Sequence, residues 1–203
     1  MHRSIIATLS LMIFSSVSMA AETLYFPQVV DGGGYTTTFT IMNPHMQWAT
    51  GTVRLTDSNG IPWPMTLADG RNVSQFPISV PALGSTRFAG TGQGPIKTGW
   101  ASLTTEISLS GVETIDYHPG SNLLDSVSVA GIPAGKHFAI PADISSVGDT
   151  GFAVINVGTD SANVRLALKS EDGVTDSAIF DTRLNPLPAK QYLCALPARY
   201  FPC

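Results

Sequence analysis

The chain has 203 residues, only 13% of them charged and 43% hydrophobic, with 19 glycines and 14 prolines. That balance excludes a disordered polymer and disfavours a helical bundle, because glycine and proline both interrupt helices. A formal net charge of −4 without a basic stripe excludes an ordinary nucleic-acid binder and electrostatic adhesion to anionic lipid.

Residues 1–21 read as a leader. His2 and Arg3 form a short polar start, Ile5 to Val17 is an uncharged and mostly apolar run, and Ser18-Met19-Ala20 supplies the small residues a signal peptidase reads. Cleavage is expected after Ala20 or Ala21. The apolar run is too short for a bilayer span and no second one follows. No cysteine follows it to carry a lipid anchor. The mature chain then carries 10 basic and 15 acidic residues. A secreted, periplasmic or cell-surface location follows from this reading.

The mature chain starts with a short strand over Thr23 to Phe26. Asp31-Gly32-Gly33-Gly34 is a turn, and Tyr35 to Asn43 alternates aromatic and β-branched residues with period two, which is a strand with Phe39 and Ile41 inward. Asn43-Pro44 ends it. Thr52 to Thr56 follows, with Val53 and Leu55 inward and Arg54 outward, and Asp57-Ser58-Asn59-Gly60 is a reverse turn. Residues 62–72 are a proline-containing loop. Val73 to Val80, Ser85 to Ala89, Trp100 to Thr105, Gly111 to His118 and Ser126 to Val129 supply further strands, with Gly90, Gly92 and Gly94 in a connection and a break at Gly131-Ile132-Pro133. Beyond Phe138 come Phe152 to Asn156, Asn163 to Leu168, Ala178 to Leu184 and Gln191 to Leu196. Many short strands between regular turn signals mean an all-β sandwich or barrel.

The chain says one thing twice. Asn43 matches Asn156 at an offset of 113, Val53 matches Val164 at 111, Gly60 matches Gly173 at 113, and Pro81-Ala82 matches Pro188-Ala189 at 107. Length changes that fall in turns are what a duplicated β unit shows. Its domains are therefore a leader over 1–21, a first sandwich over 22–120 and a second, shorter one over 121–203. Nothing in the second copy matches Trp100 to His118. Shared packing between the copies or truncation accounts for this more simply than a strand supplied by a partner.

At Phe26-Pro27-Gln28, Asp31 to Thr37, Asn43-Pro44 and Gly51-Thr52-Val53, with Gly151 to Asn156 and Leu187-Pro188-Ala189 in the second copy, the chain resembles repeated Ig-like β-sandwich modules of secreted and cell-surface bacterial proteins. The resemblance implies two tandem Ig-like antiparallel β-sandwiches, the second incomplete, outside the cytoplasm. It carries over no catalytic or binding residue. Family members usually continue with more strands where this chain ends.

The chemistry-bearing residues are sparse. His45, His118 and His137 fall in separate turns without metal-ligand spacing. No G-x-S-x-G is present, and Gly90-Thr91-Gly92-Gln93-Gly94 lacks the lysine and helix of a phosphate loop. Asp57/Asn59 and Glu171/Asp172 offer oxygen ligands for calcium, but turn chemistry already explains them. Asn72-Val73-Ser74 matches a glycosylation acceptor. Cys194 and Cys203 are an even pair in an exported chain, read as a disulfide that restrains the tail, with two free thiols or an intermolecular bridge as alternatives. Trp100 starts a strand and packs in the core. Trp48 and Trp63 lie in a turn and between prolines, partly exposed, where aromatic rings can stack on sugars. The expectation is a non-enzymatic, cofactor-free protein with a structural or adhesive role, partnered by protein or polysaccharide. The alternative is a carbohydrate-binding module using Trp48 and Trp63.

Overall fold

The computed structural model describes residues 21–141, 151–170, 173 and 176–186, all of it strand, turn and loop. The chain is an all-β sandwich. Among the described residues thirteen strands run in order: β1 (Glu22–Asp31), β2 (Tyr35–Met42), β3 (Ala49–Asp57), β4 (Met65–Thr66), β5 (Asn72–Val73), β6 (Gln75–Val80), β7 (Ser85–Ala89), β8 (Lys97–Thr105), β9 (Ser110–Tyr117), β10 (Asp125–Ala130), β11 (Ile132–Pro133), β12 (Ala162–Lys169) and β13 (Asp176–Leu184). One sheet has the order β11-β1-β8-β3-β6 and the facing sheet β10-β9-β2-β7; β12 and β13 pair separately, as do β4 and β5. Every pairing is antiparallel.

The turn glycines start the sandwich. Gly32, Gly33 and Gly34 all hold positive φ, so the chain reverses tightly from β1 into β2 and crosses from one sheet to the other. Side chains of alternate residues then meet between the sheets. Phe26, Phe39, Phe88 and Phe76 form a run of rings across the interior, with centroids 5.3, 4.8 and 5.1 Å apart in edge, stacked and edge contact. Val53, Leu55, Met65, Leu67 and Leu103 fill the space around them. A second cluster of Val30, Tyr35 and Ile115 lies under the stacked pair Tyr35–Tyr117, 4.3 Å apart. A buried polar pin joins the layers there. Thr37 Oγ1 donates to the Val30 carbonyl at 2.6 Å, and the Val30 N–H donates back at 3.1 Å.

Phe39, Ile41, Val53 and Leu55 point inward and Arg54 outward, as their alternation predicts. The first strand is longer than Thr23 to Phe26. It continues to Asp31 because a bulge between Phe26 and Val29 takes up Pro27, so the proline does not end the ladder. The Gly131-Ile132-Pro133 break is instead a crossing. β10 pairs with β9 in one sheet, the chain turns at Gly131, and β11 pairs with β1 in the other. A Cβ at Gly131 would sit 2.5 Å from the Phe26 ring, so only glycine fits. The first sandwich therefore runs through Pro133, past the expected boundary at residue 120.

In the second half, β13 covers the expected strand Ala178 to Leu184, while the expected strand Phe152 to Asn156 has no strand pairing among the described residues. Pro188, Ala189, Gln191 to Leu196, Cys194 and Cys203 lie outside the described residues, so the expected disulfide does too. The expected match of Val53 with Val164 fails. Val53 pairs with Phe76 four residues before Val80, whereas Val164 pairs with Thr182 two residues before Leu184. The residue in the place of Val53 is Leu166, opposite Phe180. The Val-Arg-Leu triplets had suggested a shift of two that the pairing does not have.

Candidate functional site

Three loops meet at one end of the first sandwich: 43–48 between β2 and β3, 81–84 between β6 and β7, and 106–109 between β8 and β9. Asn43 organises them. It is buried, its Nδ2 donates to the carbonyls of Gln47, Val80 and Pro81 at 2.7, 3.2 and 3.0 Å, and its Oδ1 accepts the His45 N–H at 3.0 Å. An asparagine suits this place because one side chain both donates and accepts, replacing ladder bonds that Pro44 cannot make. His45 Nε2 meets the Ser108 carbonyl at 2.8 Å, so this nitrogen carries the proton, and the Leu83 N–H donates to the His45 carbonyl at 2.9 Å.

This braced end displays apolar side chains. Met46 is 88% exposed, Leu83 67% and Trp48 66%. Leu83 also holds φ at +54°, a left-handed conformation that costs a leucine energy and that the flanking bonds impose. A strained leucine, a methionine and a tryptophan presented on hydrogen-bonded loops form a contact surface of apolar chemistry.

Trp63 is elsewhere. It follows the Asp57–Gly60 turn, its N–H donates to the Leu55 carbonyl, and it is only 3% exposed. It stands about 20 Å from Trp48, the length of β3 between Ala49 and Leu55. The two rings share no face, and the expected partial exposure of Trp63 is corrected: Pro62 bridges to Thr56 and folds the ring into the core. Trp100 packs near Tyr25, with centroids 6.4 Å apart.

Two buried acids lie inside the same sandwich. Glu113 on β9 is wholly buried between its neighbours Phe39 and Val129, and among the described residues its carboxylate oxygens have no well-aligned hydrogen bond, the Gln28 backbone being the polar group beside them. Burial pushes its carboxyl well above the usual range, and the Gln28 backbone at the β1 bulge only partly opposes this. Asp31, at the end of β1, is pushed up to about 6 by burial, although the Gly92 N–H donates to it at 3.0 Å. This bond moulds the Gly90–Gly94 connection. In the turn after β3, Asp57 Oδ1 accepts the N–H groups of Asn59 and Ile61, so that carboxylate serves the turn. Glu171 and Asp172 lie outside the described residues. Among the described residues no three His, Cys, Asp or Glu side chains are grouped to hold a metal ion.

Sequence reasoning missed Asn43, Leu83 and Glu113 as residues of consequence. Glu113 was readable, since it shares parity with Ile115 on one strand and must face inward with it. Leu83 carried no signal, because nothing in Pro81-Ala82-Leu83-Gly84 puts the positive φ on leucine when glycine is next to it.

No family model matches the chain, and no curated protein matches it. Among solved structures, the crystal structure of Thermotoga maritima 1070 is similar over 55% of this chain and 92% of its own, at 11% identity and a TM-score of 0.41.

Proposed function

We propose that the chain is an exported, non-enzymatic sandwich protein with a structural or adhesive role at the cell surface or outside the cell, and that the end bearing Met46, Trp48 and Leu83 makes the contact. The exposure of these three side chains on loops fixed by Asn43 and His45 carries the reading. A surface tethered by hydrogen bonds loses little entropy when it docks, so modest apolar area suffices. The leader-like residues 1–21 support export. The Ig-like resemblance and a polypeptide or polysaccharide partner belong to the same proposal.

The test is retention of the purified chain on cells and cell-wall material of its source. Replacing Met46 by Ser, Trp48 by Ala and Leu83 by Gly together should abolish retention while leaving the far-ultraviolet spectrum unchanged and the melting temperature no lower, since glycine relieves the positive φ at position 83. Undiminished retention of the triple variant ends the proposal. Trp48 also supports the second reading, sugar stacking, through a single exposed ring. A glycan array separates the two: signal lost on Trp48→Ala alone favours sugar, and silence across the array favours a protein contact.

A further inference from the structure

The Glu113 carboxyl lies at the seam where the chain changes sheets. Phe39 stands opposite Glu113 on β2, and Val129 stands opposite it on β10. β1 packs over β2, β9 and β10, and its bulge between Phe26 and Val29 brings the Gln28 backbone to the carboxyl. Two residues beyond Val129 the chain crosses over. The Gly131 N–H donates to the Gly111 carbonyl at 2.9 Å, the Phe26 ring lies beneath Gly131, and β11 joins β1 opposite Leu24 and Tyr25. β10 and β11 together thus close the side of the interior in which Glu113 sits.

These two strands are lightly held. Ser126, Val127, Ser128 and Ala130 are exposed on β10, and so are Ile132 and Pro133 on β11. β11 meets β1 in two residue pairs. Segments with little buried apolar surface and few ladder bonds are the ones that open locally. Glu113 is their opposite, 0% exposed, and its oxygens have no well-aligned hydrogen bond among the described residues. A neutral carboxyl is tolerated in such a place and a charged one is not. The titratable groups that the surrounding strands turn toward this interior are Tyr35 on β2, Tyr117 on β9, Asp125 on β10, and Glu22 and Asp31 on β1; all are acids, and β11 brings none. Lys97, opposite Asp31 on β8, is exposed, and Asp116 of β9 faces outward, where it accepts the Ser126 hydroxyl at 2.6 Å.

We propose that β10 and β11 form a proton-locked strap: the neutral Glu113 carboxyl lets the strap close over the seam, and loss of that proton releases the two strands while the rest of the sandwich stays folded. With the strap lifted, Glu113 borders solvent on the side β10 had covered, and its carboxylate is hydrated. The closed form holds the proton more tightly than the open one, because burial disfavours the charge. Opening is therefore independent of pH below the ordinary value of 4.5, rises above it, and levels off once the closed form itself ionises.

Native-state hydrogen exchange of the full chain, followed amide by amide at several pH values and low urea concentrations, tests this. Rates are divided by the intrinsic rate at each pH. The Gly131 amide and those of β10 should open about tenfold more for each pH unit above 4.5. They should respond weakly to urea, as a local opening does, whereas the Leu55 and Trp63 amides respond steeply. Glu113→Gln, or Glu113→Met of similar volume, should abolish the pH dependence at β10 and Gly131, and Asp31→Asn should leave it in place. The proposal is overturned if those amides show no rise with pH, if the rise persists without the Glu113 carboxyl or vanishes in Asp31→Asn, or if they share the steep urea response of Leu55 and Trp63. The last two readings use chains that keep Glu113, so they stand even where a variant at position 113 does not fold.

Discussion

Asn43 concentrates four hydrogen bonds in one buried side chain. Asn43→Ala would strand three carbonyls and one N–H at the edge of the core. Allowing for partial rescue by water, the cost is about 3 kcal/mol, read as a shift in the midpoint of denaturant unfolding. The buried acids give an opposite kind of effect. Asp31 and Glu113 are both harder to ionise folded than unfolded, so the folded chain holds the extra protons. Their cost is absent below the unfolded values and grows as pH rises through the folded ones, so stability falls with rising pH. For Asp31 the window runs from 3.8 to about 6. Asp31→Asn keeps the acceptor for Gly92. It should match the wild type near the lower bound and exceed it above the window by about 1–2 kcal/mol, the screening by solvent reducing the full value of about 1.4 kcal/mol per pKa unit. Glu113→Gln should likewise gain on the wild type as pH rises from mildly acid to alkaline. Equal pH profiles for wild type and variant, measured by urea unfolding, would sink either claim.

At the scale of elements, parity was the legible quantity. Tyr35 to Met42 and Ser85 to Ala89 could be read almost to the residue, because alternation and turn residues act locally. Pairing was not. β10 and β11 look like a strand and a break in one dimension, and only the Phe26 ring beneath Gly131 shows that they are one strand changing sheets. Gly131→Ala should therefore cost about 1–3 kcal/mol through overpacking, seen as a lowered melting temperature. The two tryptophans also separate here. Trp63→Ala should cost about 3–5 kcal/mol as a core deletion. Trp48→Ala should change stability by no more than about 0.5 kcal/mol. Sequence could not tell them apart, since both sit beside turn residues and burial depends on which strand the turn folds over.

For the whole molecule, the sandwich class followed from composition and strand spacing, and the described strands are those of an all-β sandwich. The candidate site was half legible. Trp48 was named from its turn, but Met46 and Leu83 join it only because three loops distant in sequence are tied by His45 and Asn43. Such ties are long-range, and no local pattern encodes them.

The short bridge of β11 to β1 also governs how the first unit answers to force. Leu24 lies opposite Pro133, so the polypeptide arrives and departs at neighbouring points one strand spacing apart. Tension applied to the chain on either side of the unit would pass by it at its neck instead of stretching it end to end. It would peel the two residue pairs of β11 like a zipper before loading the long ladder of β1 with β8. The unit would hang as a pendant that yields first at its cheapest fastening, with its apolar tip still intact.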